Sequence, residues 1–146
     1  MDPKMKEMLE NMLNTSEEER IELARKRTQE MIKLPKEQLA KQIEGTIHAF
    51  NSLNDEDMKT LVRASVIAVD ELPPEVKSTI YSARALAGLS VPEGMNYRIL
   101  ATGAKETLNI SEESYEFFRT EFKKACDAYN IPFPEFLKTA EVTSVL

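Results

Sequence analysis

An apolar residue recurs along the chain at intervals of 19 residues, and this repeat limits what the chain can fold into. Its members are Leu34, Leu53, Leu72, Val91 and Ile110. Each is followed by Pro, Ser or Asn and then by acidic residues. The same spacing reaches back to Thr15 and, with a slip of two residues, forward to Ile131. A period of this length, without polar and apolar residues in strict alternation, predicts a repeated helix-turn unit.

The residues after these markers carry the signals that start helices. Ser16, Asn54 and Ser111 have side-chain oxygens that accept from the free N–H groups of a first helical turn. Proline takes that position in other units, where it holds the preceding residue extended and fits the first turn. The acidic residues that follow complement the positive end of the helix dipole.

The repeat predicts an all-α fold of seven or eight short antiparallel helices. Turns of two to four residues make successive helices antiparallel neighbours. The helices are predicted near 3–13, 16–32, 35–51, 54–70, 73–88, 93–108, 111–129 and 132–144. A multi-helix bundle and a short array of helical hairpins both satisfy this pattern.

We expect residues 1–146 to form a single helical domain in which residues 1–14 are a leading amphipathic helix. The stretch 88–96 is glycine-containing and poor in charge, so a sub-boundary is expected there if the domain divides.

Three columns of the repeat predict packing positions. Five residues after the marker, the spacing of a hydrophobic staple, stand Leu39, Met58, Tyr115 and Phe136. Sixteen residues after the marker stand Met31, Phe50, Val69, Gly88, Thr107 and Cys126. The column before that one holds Ala49, Ala68, Ala87 and Ala125, and small residues there predict close approach between helices.

Charge and composition restrict the partners and the compartment. The chain has 25 acidic and 19 basic residues, a net charge of −6, so we expect no nucleic-acid binding. No apolar run approaches the roughly 18 residues that span a bilayer, so we expect no membrane partner. The single cysteine, Cys126, and a start without a signal-peptide pattern favour a cytoplasmic location.

No motif in the chain indicates catalysis. His48 is the single histidine, which leaves Glu44 beside it without a second nitrogen or sulfur ligand for a metal. Neither the dinucleotide fingerprint nor the P-loop spacing occurs. We therefore expect no metal site, no cofactor and no catalytic residue, and interpret Cys126 as a small buried apolar side chain.

The leading helix carries an apolar stripe at helical spacing, formed by Met5, Met8, Leu9, Met12 and Leu13. One interpretation is that the stripe packs on the core of the same chain. The other is that it binds a partner helix or a second copy of the chain, since methionine adapts to varied surfaces.

A group of tyrosines and arginines lies in the less charged half of the chain, comprising Tyr81, Arg84, Tyr97, Arg98 and Arg119. If their helices bring the guanidinium groups together, they form an anion or carboxylate site. Otherwise they are solvated arginines that pair with local carboxylates.

These observations leave two hypotheses on function. The first is a non-enzymatic helical interaction module or scaffold that binds a protein partner or self-associates, because repeated helices create extended surfaces. The alternative is a binding protein or enzyme for a small anionic molecule, with a pocket between the helices of residues 73–129.

Overall fold

The computed structural model describes residues 3–138, and these form an all-helical bundle. Seven α-helices follow one another, joined by short turns, and no strand occurs in the described part of the chain. Their bounds are α1 Pro3–Leu13, α2 Glu17–Met31, α3 Lys36–Asn51, α4 Asp55–Asp70, α5 Pro74–Gly88, α6 Glu93–Ile110 and α7 Glu112–Ala128. The predicted fold class is confirmed, and within residues 3–138 none of the helices is long and apolar enough to cross a bilayer.

The helix starts follow the predicted capping. The side chains of Ser16, Asn54 and Ser111 each accept from the backbone N–H three residues on. Helices α3, α5 and α6 begin after proline, whose backbone is extended and whose side chain makes no cap hydrogen bond. These local hydrogen bonds and fixed backbone angles explain why the 19-residue repeat sets the helix bounds to within about two residues.

The predicted helix over 132–144 is wrong at its start. Residues 131–134 are not helical, and a short 3-10 helix spans Glu135–Leu137. Pro132 and Pro134 explain the difference, because each removes a donor and Pro134 disfavours the helical conformation for the residue before it. The rest of the predicted helix, residues 139–144, lies outside the described residues.

From α2 onwards, each helix packs mainly against the helix two places along the chain. Helices α2, α4 and α6 lie side by side in one layer, and α3, α5 and α7 in a second. Arg63 donates to Glu17 and Arg25 donates to Glu71, and both pairs span 46 residues, so α2 and α4 run in the same direction. Successive helices therefore reverse direction as predicted, but the most extensive contacts join alternate helices within a layer.

Two of the three predicted packing columns are buried throughout, and the column sixteen residues after the marker is buried at Phe50, Thr107 and Cys126 but only partly buried at its other positions. All four alanines of the column before the turn are at most 6% exposed, and so are the four staple residues Leu39, Met58, Tyr115 and Phe136. Buried residues form two clusters, and α5 and α6 contribute to both. The sub-boundary near 88–96 stays a prediction.

Candidate ligand-binding site

A cavity of about 190 Å³ lies between the two layers, and all seven helices contribute side chains to its lining. Most of these side chains are apolar, among them Leu9, Leu39, Ile43, Ile47, Phe50, Val62, Val66, Ile80, Ile99, Leu100 and Phe118. An apolar cavity of about 150 Å³ in a protein core holds a benzene molecule. The cavity is therefore large enough for a small apolar ligand.

Two arginines line this apolar cavity. Arg27 of α2 donates through Nη2 to Oγ1 of Thr46 at 2.6 Å, and its Nη1 lies 3.5 Å from Sδ of Met8. Arg84 of α5 donates to Oδ1 of Asn96 at 2.7 Å and to the Asn96 backbone oxygen at 3.3 Å. Neither guanidinium has a carboxylate partner among residues 3–138.

Burial acts on both guanidinium groups. It lowers the pKa of Arg84 to about 10 and lowers the pKa of Arg27 as well, because each positive charge has lost water without gaining a negative neighbour. Both side chains stay protonated at neutral pH. A buried charge without a counter-ion costs several kcal/mol, and an anion bound beside it offsets that cost.

The local sequence of α2 turns Arg27 towards the cavity. Ala24, Arg27, Thr28 and Met31 follow the i, i+3, i+4, i+7 spacing, and all four line the cavity. Arg27 is a functional candidate that the sequence analysis missed. The signal was present, since a charged residue stands inside the apolar stripe of its helix.

Three residues of the cavity lining carry hydroxyl groups without a hydrogen-bond partner in the described range. These residues are Thr28, Ser65 and Tyr81. Burial, together with the charge of Asp70, raises the pKa of Tyr81, so its phenol remains neutral and keeps its proton for donation.

The structure brings two of the five predicted tyrosine and arginine residues to this cavity, Tyr81 and Arg84. The other three, Tyr97, Arg98 and Arg119, do not line it. The predicted pocket region, residues 73–129, supplies part of the lining, and residues 8–69 supply the remainder.

Arg98 and Arg119 contact other parts of the fold. Arg98 donates to two backbone carbonyls of the turn between α3 and α4 and to Oδ1 of Asp55 at 2.8 Å. Arg119 donates to the backbone carbonyls of Leu137 and Lys138. Tyr97 is 49% exposed, with its ring edge-on to Phe136. The hydrogen bonds of both arginines hold turns and the described end of the chain in place.

The apolar stripe of α1 faces the core of its own chain. Leu9 and Met12 are buried, and Met5, Met8 and Leu13 are partly buried against the same cluster. Met8, Leu9 and Met12 also line the cavity. Binding of a separate partner by this stripe stays a prediction.

Metal-ligating residues do not cluster in the described part of the chain, where no group of three His, Cys, Asp or Glu side chains could hold an ion. His48 is exposed. Cys126 is fully buried, and burial raises the pKa of its thiol to about 11, which opposes formation of the reactive thiolate.

Comparison of the chain with protein-family models, with curated proteins and with solved structures finds no match. The cavity and its arginines are therefore interpreted from their own geometry.

Proposed function

We propose that the protein binds a small apolar carboxylate in the cavity between its two helical layers. The observation that carries this proposal is the presence of two guanidinium groups, Arg27 and Arg84, in an apolar lining without a carboxylate partner in residues 3–138. An apolar tail suits the lining, and a carboxylate suits a guanidinium, which binds it with two parallel hydrogen bonds.

The size of the cavity limits the ligand to a short chain. At about 190 Å³ the cavity exceeds one that holds benzene by roughly a quarter. A straight-chain carboxylate such as octanoate combines a short apolar tail with one negative charge. Octanoate is accordingly the probe, and 1-octanol is its uncharged control.

Calorimetric titration of the full chain with both compounds tests the proposal. Hydrogen bonds to charged groups contribute roughly 1.5–3 kcal/mol, so octanoate is expected to bind at least tenfold more tightly than 1-octanol. Saturating octanoate also raises the free energy of unfolding, by about 2.7 kcal/mol at 100 times Kd. Absence of octanoate binding, or equal affinity for the two compounds, contradicts the proposal.

A further inference from the structure

A groove of about 290 Å³ lies between α1 and α2 on the surface, and it adjoins the interior cavity. Met8, Met12 and Arg27 line both the groove and the cavity. These three side chains therefore lie between the groove and the cavity. Displacing Met8, the one of the three on the N-terminal half of α1, widens the path from the groove to the cavity beside the guanidinium of Arg27.

Arg27 has weaker acceptors than the other cavity arginine. Two of its contacts are to thioether sulfurs, Sδ of Met5 at 3.6 Å and Sδ of Met8 at 3.5 Å. Thioether sulfur is a weak acceptor. Within residues 3–138 the one oxygen that accepts from Arg27 is the Thr46 hydroxyl. Arg84 by contrast donates to two oxygens of Asn96. The guanidinium of Arg27 thus gains more from a bound carboxylate.

The two ends of α1 are held differently. Arg20 donates to the backbone oxygens of Met12, Leu13 and Thr15, which fixes the C-terminal end of α1 and the turn after it. The N-terminal half contacts Arg27 through Met5 and Met8, which are only partly buried. With 11 residues α1 is too short to be stable without packing. A motion that opens α1 would therefore start at its N-terminal half, since Arg20 holds the other end.

We infer that Arg27 binds the carboxylate head of the ligand, and that the N-terminal half of α1 is a hinged cover that opens to admit the ligand from the groove. This inference rests on the proposed function and adds to it the head-group residue and the access route. With the cover closed, the Met5 and Met8 sulfurs are weak acceptors for the Arg27 guanidinium. A bound carboxylate replaces them with two strong oxygen acceptors.

Arginine variants of the full chain test the head-group assignment. Arg27→Met keeps the length and apolar stem of the side chain, and it is expected to weaken octanoate binding at least tenfold while leaving 1-octanol binding within twofold. Arg63→Met is the matched control, because Arg63 is exposed, pairs with Glu17 and does not line the cavity. Its affinity for octanoate should stay within twofold of the parent protein.

The same titrations separate the two proposals. If the parent protein binds octanoate but Arg84→Met removes binding and Arg27→Met does not, the assignment to Arg27 is overturned and the proposed function stands. If the parent protein binds neither compound, the proposed function itself fails. Circular dichroism of each variant verifies that its helices are intact.

Methionine methyl NMR tests the cover. In the absence of ligand, Met5 and Met8 are expected to show exchange on the microsecond-to-millisecond scale, and Met58 none, because Met58 is buried away from the cavity and the groove. Octanoate should shift the signals of Met5 and Met8 and suppress their exchange. Unchanged Met5 and Met8 signals in a protein saturated with octanoate overturn the access route.

Discussion

The side-chain amide of Asn96 lies against Gly88, in the space that a side chain at position 88 would fill, at the junction of α5 and α6. A Cβ atom built on Gly88 would lie 2.8 Å from Nδ2 of Asn96 and 3.1 Å from its Cγ. The apolar members of the same two columns of the repeat include Phe50, in the column of Gly88, and Leu39, in the column of Asn96. The glycine makes room for the amide, and the amide accepts from Arg84. Gly88 and Asn96 thus act together to hold the guanidinium of Arg84 at the cavity.

Replacing Gly88 by alanine tests this relationship. Gly→Ala inside a helix ordinarily stabilises by roughly 0.5–1 kcal/mol. At Gly88 the added methyl displaces the Asn96 amide, so Gly88→Ala is expected to lose that gain and to lower the free energy of unfolding. Denaturant titration measures the change.

The matched control is Gly45→Ala in α3, where nothing lies within 4 Å of an added Cβ. It should stabilise the protein by about 0.5–1 kcal/mol. Equal stabilisation by both substitutions would show that Asn96 moves aside without cost.

Arg98 is expected to stabilise the fold through its hydrogen bonds. It donates to Asn51, Leu53 and Asp55 and so ties α6 to the turn between α3 and α4. Lysine lacks the fork of donors, so Arg98→Lys should lower the free energy of unfolding by about 1–3 kcal/mol. Octanoate affinity should be unaffected.

Arg63→Lys is the comparison for Arg98, since Arg63 makes a single exposed ion pair with Glu17. Such pairs contribute roughly 0–1 kcal/mol. Thermal denaturation should therefore separate the two variants, and similar losses in both would count against the structural role of Arg98.

Filling the cavity should raise the free energy of unfolding and at the same time remove ligand binding. Ser65 of α4 lines the cavity, and its hydroxyl has no partner within residues 3–138. Ser65→Leu places apolar atoms in the empty volume, so we expect a gain of about 0.5–2 kcal/mol together with loss of octanoate binding. Lys59→Leu on the exposed face of α4 is the control and should change neither property. Retained binding in Ser65→Leu would place the ligand elsewhere.

The tyrosines are expected to ionise at different pH values. Hydrogen bonds with Ser82 and Lys36 lower the pKa of Tyr129, whereas burial raises the pKa of Tyr81 and Tyr115. Among these three tyrosines, ultraviolet difference spectroscopy should therefore detect a first phase from Tyr129 and later phases from Tyr81 and Tyr115 as the pH is raised. Tyr129→Phe should remove the first phase.

The sign of the linked stability follows from the direction of the Tyr129 shift. A pKa below the unfolded value means that the folded state favours the phenolate of Tyr129. Its contribution to the free energy of unfolding therefore appears as pH rises through the folded pKa and is lost as pH falls through it. Lys36→Met removes one of the two hydrogen bonds and should move the first phase to higher pH. An unmoved first phase would show that Lys36 does not act on Tyr129.

Part of the candidate site was predictable from residue types alone. Tyr81 and Arg84 are predicted ligand residues, and both line the cavity. Met8, Leu9 and Met12 also line it, although their stripe is predicted to pack on the core or to bind a partner. Arg27 was missed because α2 is rich in charge, which conceals one arginine on an inward face. Arg98 and Arg119 are grouped with Arg84 because each stands near a tyrosine in the less charged half of the chain, but their hydrogen bonds reach residues 43–47 and 18–19 positions away.

The sequence by itself determined where α1 to α7 begin and end to within about two residues, because caps, prolines and dipole charges act over three or four residues. Only the tertiary structure decided that alternate helices are the closest neighbours, and that Arg27 and Arg84 meet one apolar cavity without a carboxylate partner in residues 3–138. Those relationships depend on the crossing of whole helices and on contacts between side chains far apart in the chain. A local pattern of 19 residues contains no information about such contacts.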